Sequence, residues 1–162
     1  MSRLDSAIRR LTAQRACLDR AAAMIADRPG PVLELGLGNG RTYDHLREIM
    51  PGREIFVFER QVAAHPDCVP PAGMLFEGDI VETLPAAAAR LGRTAVLLHS
   101  DIGTGDSARN AALAVEIAAL LPPLLAPGAL LLSDQVLPVP GAEPLALPDG
   151  VAKGRYQMVR VP

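Results

Sequence analysis

Glu34-Leu35-Gly36-Leu37-Gly38-Asn39-Gly40 stands where an apolar run passes into a polar, helix-like segment. Three glycines at alternate positions let the backbone turn sharply and approach a ligand closely, and the N-terminus of a following helix offers free amide donors. Gly-rich turns also end many ordinary strands, so the flanking acids matter. Glu59 closes the next apolar run, where an acidic side chain in a Rossmann-like sheet accepts hydrogen bonds from both hydroxyls of a ribose. A plain surface carboxylate is the alternative. Asp79, in Glu77-Gly78-Asp79-Ile80, follows the third run, where its carboxylate is available to an adenine amino group or serves only as a turn residue.

A fourth group, His99-Ser100-Asp101-Ile102, lies after the fourth run. Asp101 or His99 could take a proton from a bound hydroxyl or amine, with Asp101 the preferred catalytic candidate. Equally, Asp101 could cap the following turn and His99 could be a satisfied core histidine.

These residues require a particular scaffold. Apolar runs at Val32–Leu35, Ile55–Phe58, Met74–Phe76, Ala95–Leu98 and Ala129–Leu132 read as strands covered on both faces. Between them Arg41–Met50, Thr83–Leu91 and Ser107–Leu121 read as helices, an alternation that implies a parallel sheet with helices on both sides. Gln61 to Gly73 holds Pro66, Pro70 and Pro71 and is too broken for a full crossover helix. Leu4, Ile8, Leu11, Leu18, Ala22 and Ile25 draw one apolar stripe along an N-terminal helix, interrupted by Arg15. Ser2 and Asp5 have capping-box spacing, and Pro29-Gly30 stops that helix. Pro138, Pro140, Pro144 and Pro148 make the C-terminal region mostly loop before a last strand over Tyr156–Val161. The expected fold is α/β, a Rossmann-like doubly wound, mostly parallel sheet with an N-terminal helix (1–30), a cofactor-binding core (31–136) and a shortened C-terminal region (137–162), all in one domain.

Glu34, Gly36, Gly38 and Gly40 match, position for position, an acid, any residue, then Gly-x-Gly-x-Gly. In this the chain resembles the class I S-adenosylmethionine-dependent methyltransferases, from roughly Val32 to Val136. A nicotinamide dehydrogenase would need its third glycine where Arg41 stands. The resemblance implies S-adenosyl-L-methionine as cofactor. It assigns Glu34, Gly36, Leu37, Gly38, Asn39, Gly40 and Thr42 to the first loop of the cofactor site, where amides face the methionine part. Glu59 and Arg60 then lie at the ribose, Gly78, Asp79 and Ile80 at the adenine, and Ser100 and Asp101 beside the reacting methyl.

The chain is also similar, more narrowly, to metal-dependent small-molecule O-methyltransferases, in which an Asp after the fourth strand and an Asp-Asn pair after the fifth hold magnesium. Asp101 and Asp134 are present, but Gln135 replaces the Asn and Thr104 replaces that family's lysine, so no metal is expected.

Acidic and basic residues nearly cancel, 18 against 16, and the basic ones form no run that would follow a phosphate backbone. Nucleic acid is therefore not the expected acceptor. No apolar stretch approaches the roughly 20 residues of a membrane span, and charges from Arg3 to Arg20 leave no secretory signal, so a cytoplasmic location is expected. Cys17 and Cys68 match no metal or disulfide spacing and read as helix packing and a loop thiol. The expected activity is methyl transfer to a small molecule, or cofactor binding without turnover as a partner subunit. The N-terminal stripe could cover the site or pair two copies of the chain. Glu59, at a strand end facing an open cleft, is expected to matter for binding and little for fold stability.

Overall fold

The computed structural model describes residues 2–104 and 106–162. Helix α1 (Arg3–Met24) leads into β1 (Val32–Leu35), α2 (Arg41–Ile49), β2 (Ile55–Glu59), β3 (Leu75–Glu77) and α3 (Ile80–Leu91). Then come β4 (Ala95–Ser100), α4 (Ser107–Leu120), β5 (Leu125–Ser133), β6 (Glu143–Pro144) and β7 (Gln157–Arg160). The seven strands form one sheet in the order β3-β2-β1-β4-β5-β7-β6. The first five are parallel, and β7 runs antiparallel between β5 and β6. This is the mostly parallel, Rossmann-like arrangement expected from the alternating runs.

Alternation along the strands sends side chains to opposite faces and so builds two cores. Leu33, Leu35, Phe56, Phe58, Leu98 and Leu131 meet α3 and α4 through Leu84, Ala87, Ala114 and Ile117. On the other face, Val32, Val57, Leu97, Leu130 and Leu132 meet α1 and α2 through Cys17, Leu18, Ala21, Tyr43 and Leu46. Cys17 is packed there, and burial pushes its thiol up to about 11.

Helix α1 starts as its sequence predicts. Ser2 Oγ accepts from Asp5 N–H at 3.0 Å, and an Asp5 oxygen accepts from Ser2 N–H at 3.1 Å, a complete capping box. Its buried face differs from the apolar stripe. Leu4 and Ile8 are 68% and 53% exposed, whereas Gln14 is buried beside Cys17 and Leu18. Arg15 lies on the exposed side and interrupts nothing. The polar residue on the buried face is Gln14, for a reason that appears at the site.

Other boundaries shift modestly. The Gln61 to Gly73 stretch holds only two short 3-10 turns, Pro66–Cys68 and Ala72–Met74. Helix α3 begins at Ile80, earlier than its apolar periodicity indicates, because Asp79 Oδ1 accepts from Val81 N–H at 3.0 Å and caps it. The proline-rich tail contributes the two-residue β6, which no periodicity in so short a segment reveals.

Candidate active site

Parallel register carries the chemistry-bearing residues to one edge of the sheet. Gly36 N–H donates to Phe58 O at 2.8 Å, Gly78 N–H to Glu59 O at 3.0 Å, and Asp101 N–H to Leu35 O at 3.2 Å. Asp134 N–H donates to Ser100 O at 3.3 Å, so the carboxyl ends of β1 to β5 finish side by side. They border a cleft of about 640 Å3, lined by Gly36, Gly38, Glu59, Arg60, Gly78, Asp79 and Ile80 and, across from them, Asp101, Ile102, Asn110 and Leu113. That volume falls within the roughly 300–1,000 Å3 usual for ligand pockets.

The glycine loop is shaped by what surrounds it. A side chain at Gly36 would place Cβ 2.6 Å from Ile102 Cγ2, and its φ of 88° is one that L side chains rarely adopt. Gly40 is the N-cap of α2 with φ 83°, and a Cβ there would lie 2.4 Å from Cys68 Cβ. At Gly38 a Cβ would meet nothing within 4 Å, so the middle of the loop is open to a ligand. Leu37 is buried beneath the loop and Asn39 is exposed on it.

Glu59 is tied to that loop. One carboxylate oxygen accepts from Leu37 N–H at 2.8 Å and Gly38 N–H at 3.1 Å, and the other accepts from Gln61 N–H at 3.1 Å. Burial opposes its ionisation, but the backbone amides of Gln61, Leu37, Gly38 and Arg60 outweigh burial and hold the carboxyl below its usual range. A role in fold stability therefore belongs to Glu59, contrary to the expectation that a strand-end carboxylate has little to lose. Asp79 is exposed at the cleft and caps α3, and Ile80 opens that helix.

Behind the loop is a buried polar chain. Register pairs Glu34 with His99 on adjacent strands, both facing α1 and α2. His99 Nδ1 lies 2.6 Å from Glu34 Oε2, and neither side chain exposes any surface. Thr42 Oγ1 donates to the other Glu34 oxygen. His99 Nε2 pairs with the Tyr156 hydroxyl and lies 3.4 Å from Gln14 Nε2. Burial disfavours the imidazolium, yet the charge and hydrogen bond of Glu34 prevail and raise the His99 pKa. Glu34, His99 and Ser100 all lie beneath the cleft surface. Nothing in the sequence singles out Tyr156. Gln14 carried one signal, since it occupies the step between Leu11 and Leu18 where an apolar residue belongs.

Asp101 stands between this chain and the cleft. Its Oδ2 accepts from Gln14 Nε2 at 2.9 Å and Arg10 Nη1 at 3.1 Å. Asp134, directly after β5, is its neighbour, and burial together with the Asp101 carboxylate raises Asp134 to about 6. Asp134 Oδ1 is buried and has no hydrogen-bond partner among the described residues. Asp134 Oδ2 and Gln135 Nε2 lie behind Gly103, 3.2 and 2.3 Å from where a Cβ would stand. Among the described residues, no group of three or more His, Cys, Asp or Glu side chains is arranged to hold a metal ion.

A family model described as S-adenosyl-L-methionine methyltransferase matches residues 1–161. The chain belongs to that family. A solved structure from Silicibacter pomeroyi DSS-3, described as an S-adenosyl-L-methionine methyl transferase, is 50% identical, with a TM-score of 0.94 over 100% of this chain and 99% of that one. Human methyltransferase-like protein 13, solved in complex with SAH, shares the fold at 12% identity, with a TM-score of 0.58 over 91% of this chain and 78% of that one. The MycE methyltransferase of mycinamycin biosynthesis, solved with Mg, SAH and mycinamycin VI, shares it at 19% identity, with a TM-score of 0.55 over 87% and 43%. None of the curated proteins matches the chain. The cofactor of this methyltransferase is S-adenosyl-L-methionine. The cleft suits it chemically: open space over Gly38, the carboxylate of Glu59, held in its ionised form by backbone amides, and the Asp79 side chain stand along one wall. Among the described residues, no helix is long and apolar enough to cross a membrane.

Proposed function

We propose that this methyltransferase acts on a small-molecule hydroxyl or amine held at the Asp101–Asp134 end of the cleft. The observation that carries the reading is that the glycine loop, Glu59 and Asp101 line one open cleft at the strand ends, with Asp134 directly behind Asp101. Bound cofactor supplies an electrophilic methyl group on a sulfonium. Glu59 and Asp79 hold the nucleoside, and the open space over Gly38 admits the remainder along the glycine loop. Positioning of the acceptor against the cofactor supplies much of the acceleration in such a reaction, so few residues need act directly. The acceptor proton passes to the Asp101–Asp134 pair, whose Asp134 member, raised to about 6, is ionised near neutral pH and still basic enough to accept it.

A panel of phenols, alcohols and amines, assayed for SAH release from S-adenosyl-L-methionine, tests this. An accepted substrate should lose turnover in Asp134→Asn while SAH affinity is retained. Undiminished turnover in that variant would exclude the pair from the proton transfer. Exposure of Leu4 and Ile8 supports a second use of α1, in pairing two copies of the chain. Light scattering of Leu4→Lys/Ile8→Lys beside the parent tests it, and a parent that is monomeric at working concentration overturns it.

A further inference from the structure

Beside the main cleft is a second chamber of about 120 Å3, bounded by Arg10, Leu11 and Gln14 of α1, the loop from Gly36 to Asn39, Arg41 and Asp101. It shares Gly36, Gly38 and Asp101 with the main cleft, so the two open on the same stretch of glycine loop. Glu59 and Asp79 border only the main cleft. A ligand with its nucleoside there reaches the smaller chamber with its other end.

The chamber presents opposite charges close together. Arg10 Nη1 and Asp101 Oδ2 are 3.1 Å apart, with Arg10 43% exposed, and Gln14 Nε2 anchors the same Asp101 oxygen at 2.9 Å. Gln14 is itself buried and lies against His99, so Asp101 is held from below while Arg10 reaches it from the exposed side. An ion pair this exposed stabilises a fold little, and exchanging it for equivalent pairs with a ligand costs little. A cation and an anion at one small chamber match an α-amino acid zwitterion, whose carboxylate suits a guanidinium and whose ammonium suits a carboxylate. Arg41 adds positive charge to the same wall and favours the carboxylate further.

We propose that Arg10 binds the carboxylate of the cofactor's amino-acid end, with Asp101 opposite it for the ammonium, and that α1 is thereby the wall that closes the cofactor site. This rests on the cofactor placement above and adds α1 to the binding machinery. The reading separates the ligand into two parts that can be measured apart, because 5′-methylthioadenosine carries the nucleoside and thioether but no amino acid.

Calorimetric titration of SAH and of 5′-methylthioadenosine into the parent and Arg10→Ala is the test. Arg10→Ala should weaken SAH by roughly 10- to 100-fold, the loss expected of a charge-assisted contact, and change 5′-methylthioadenosine by less than about twofold. Arg10→Glu should weaken SAH further and again spare the truncated ligand. Unchanged SAH affinity in Arg10→Ala, in a parent that binds both ligands, overturns this assignment alone. Equal losses for the two ligands overturn it too, because Arg10 would then act through the nucleoside cleft or the fold. A parent that binds neither ligand overturns it together with the cofactor placement on which it rests.

Discussion

His99 Nδ1 and Glu34 Oε2 meet at 2.6 Å between neighbouring strands, with no exposed surface on either side chain. The contact joins the strand that launches the glycine loop to the strand that leads into Asp101. Removing one partner of a buried pair strands the other charge, at a cost of about 3–5 kcal/mol. His99→Ala should therefore lose that much stability in urea unfolding. Tyr156→Phe, which removes only a hydrogen bond to His99, should lose about 1–3 kcal/mol. A His99→Ala loss smaller than that of Tyr156→Phe would mean that the pair does not brace the two strands.

The same pair predicts a pH dependence. The folded His99 binds its proton more tightly than an unfolded histidine of pKa about 6.5. Its contribution is fully present below that value and is lost as pH rises through the higher folded pKa. Stability of the parent should decline above about pH 6.5, and His99→Ala should flatten that decline; parallel curves would contradict it.

Asp134 works in a lower window. Its pKa rises on folding from 3.8 to about 6, so protonation favours the folded state and the benefit is lost across that interval. At pH 7 the ionised, partly buried carboxylate is a burden. At about 1.36 kcal/mol per pKa unit, and discounting for solvent screening, removing its charge should gain roughly 1–2 kcal/mol. Asp134→Asn should thus melt above the parent at pH 7, the gap narrowing toward pH 5. An Asp134→Asn protein less stable than the parent at pH 7 would show that this carboxylate supports the fold.

Gly36 and Gly38 differ in surroundings and should differ in tolerance. Gly36→Ala meets Ile102 at 2.6 Å and keeps an unfavourable φ, whereas Gly38→Ala meets nothing within 4 Å and bears only the conformational cost, roughly 1–2 kcal/mol. Thermal melts should therefore place Gly36→Ala below Gly38→Ala. The reverse order would show that contact with Ile102 is readily relieved.

Much of the sheet was legible because continuous apolar runs flanked by turn residues admit few alternatives, and the spacing of Glu34 and the glycines identified the loop. The site was less so. Glu59 is visible as an acid after β2, but its bonds to Leu37 and Gly38 depend on two loops meeting across the sheet. Tyr156 reaches His99 from the far end of the chain through the antiparallel β7 region, which proline-rich sequence obscures. Gln14 was visible only as a polar residue in an apolar stripe, and the partner that explains it, Asp101, lies far away in sequence.

Glu59 bears on the central claim most directly, because the cofactor placement requires its carboxylate at the ribose. Calorimetric titration of SAH into the parent and Glu59→Ala measures this, with a melting curve to correct for the loop amides that the substitution frees. Charge-assisted hydrogen bonds contribute about 1.5–3 kcal/mol, so folded Glu59→Ala should bind SAH roughly 10- to 100-fold more weakly. Equal SAH affinity in the two proteins would contradict the account and move the nucleoside away from β2.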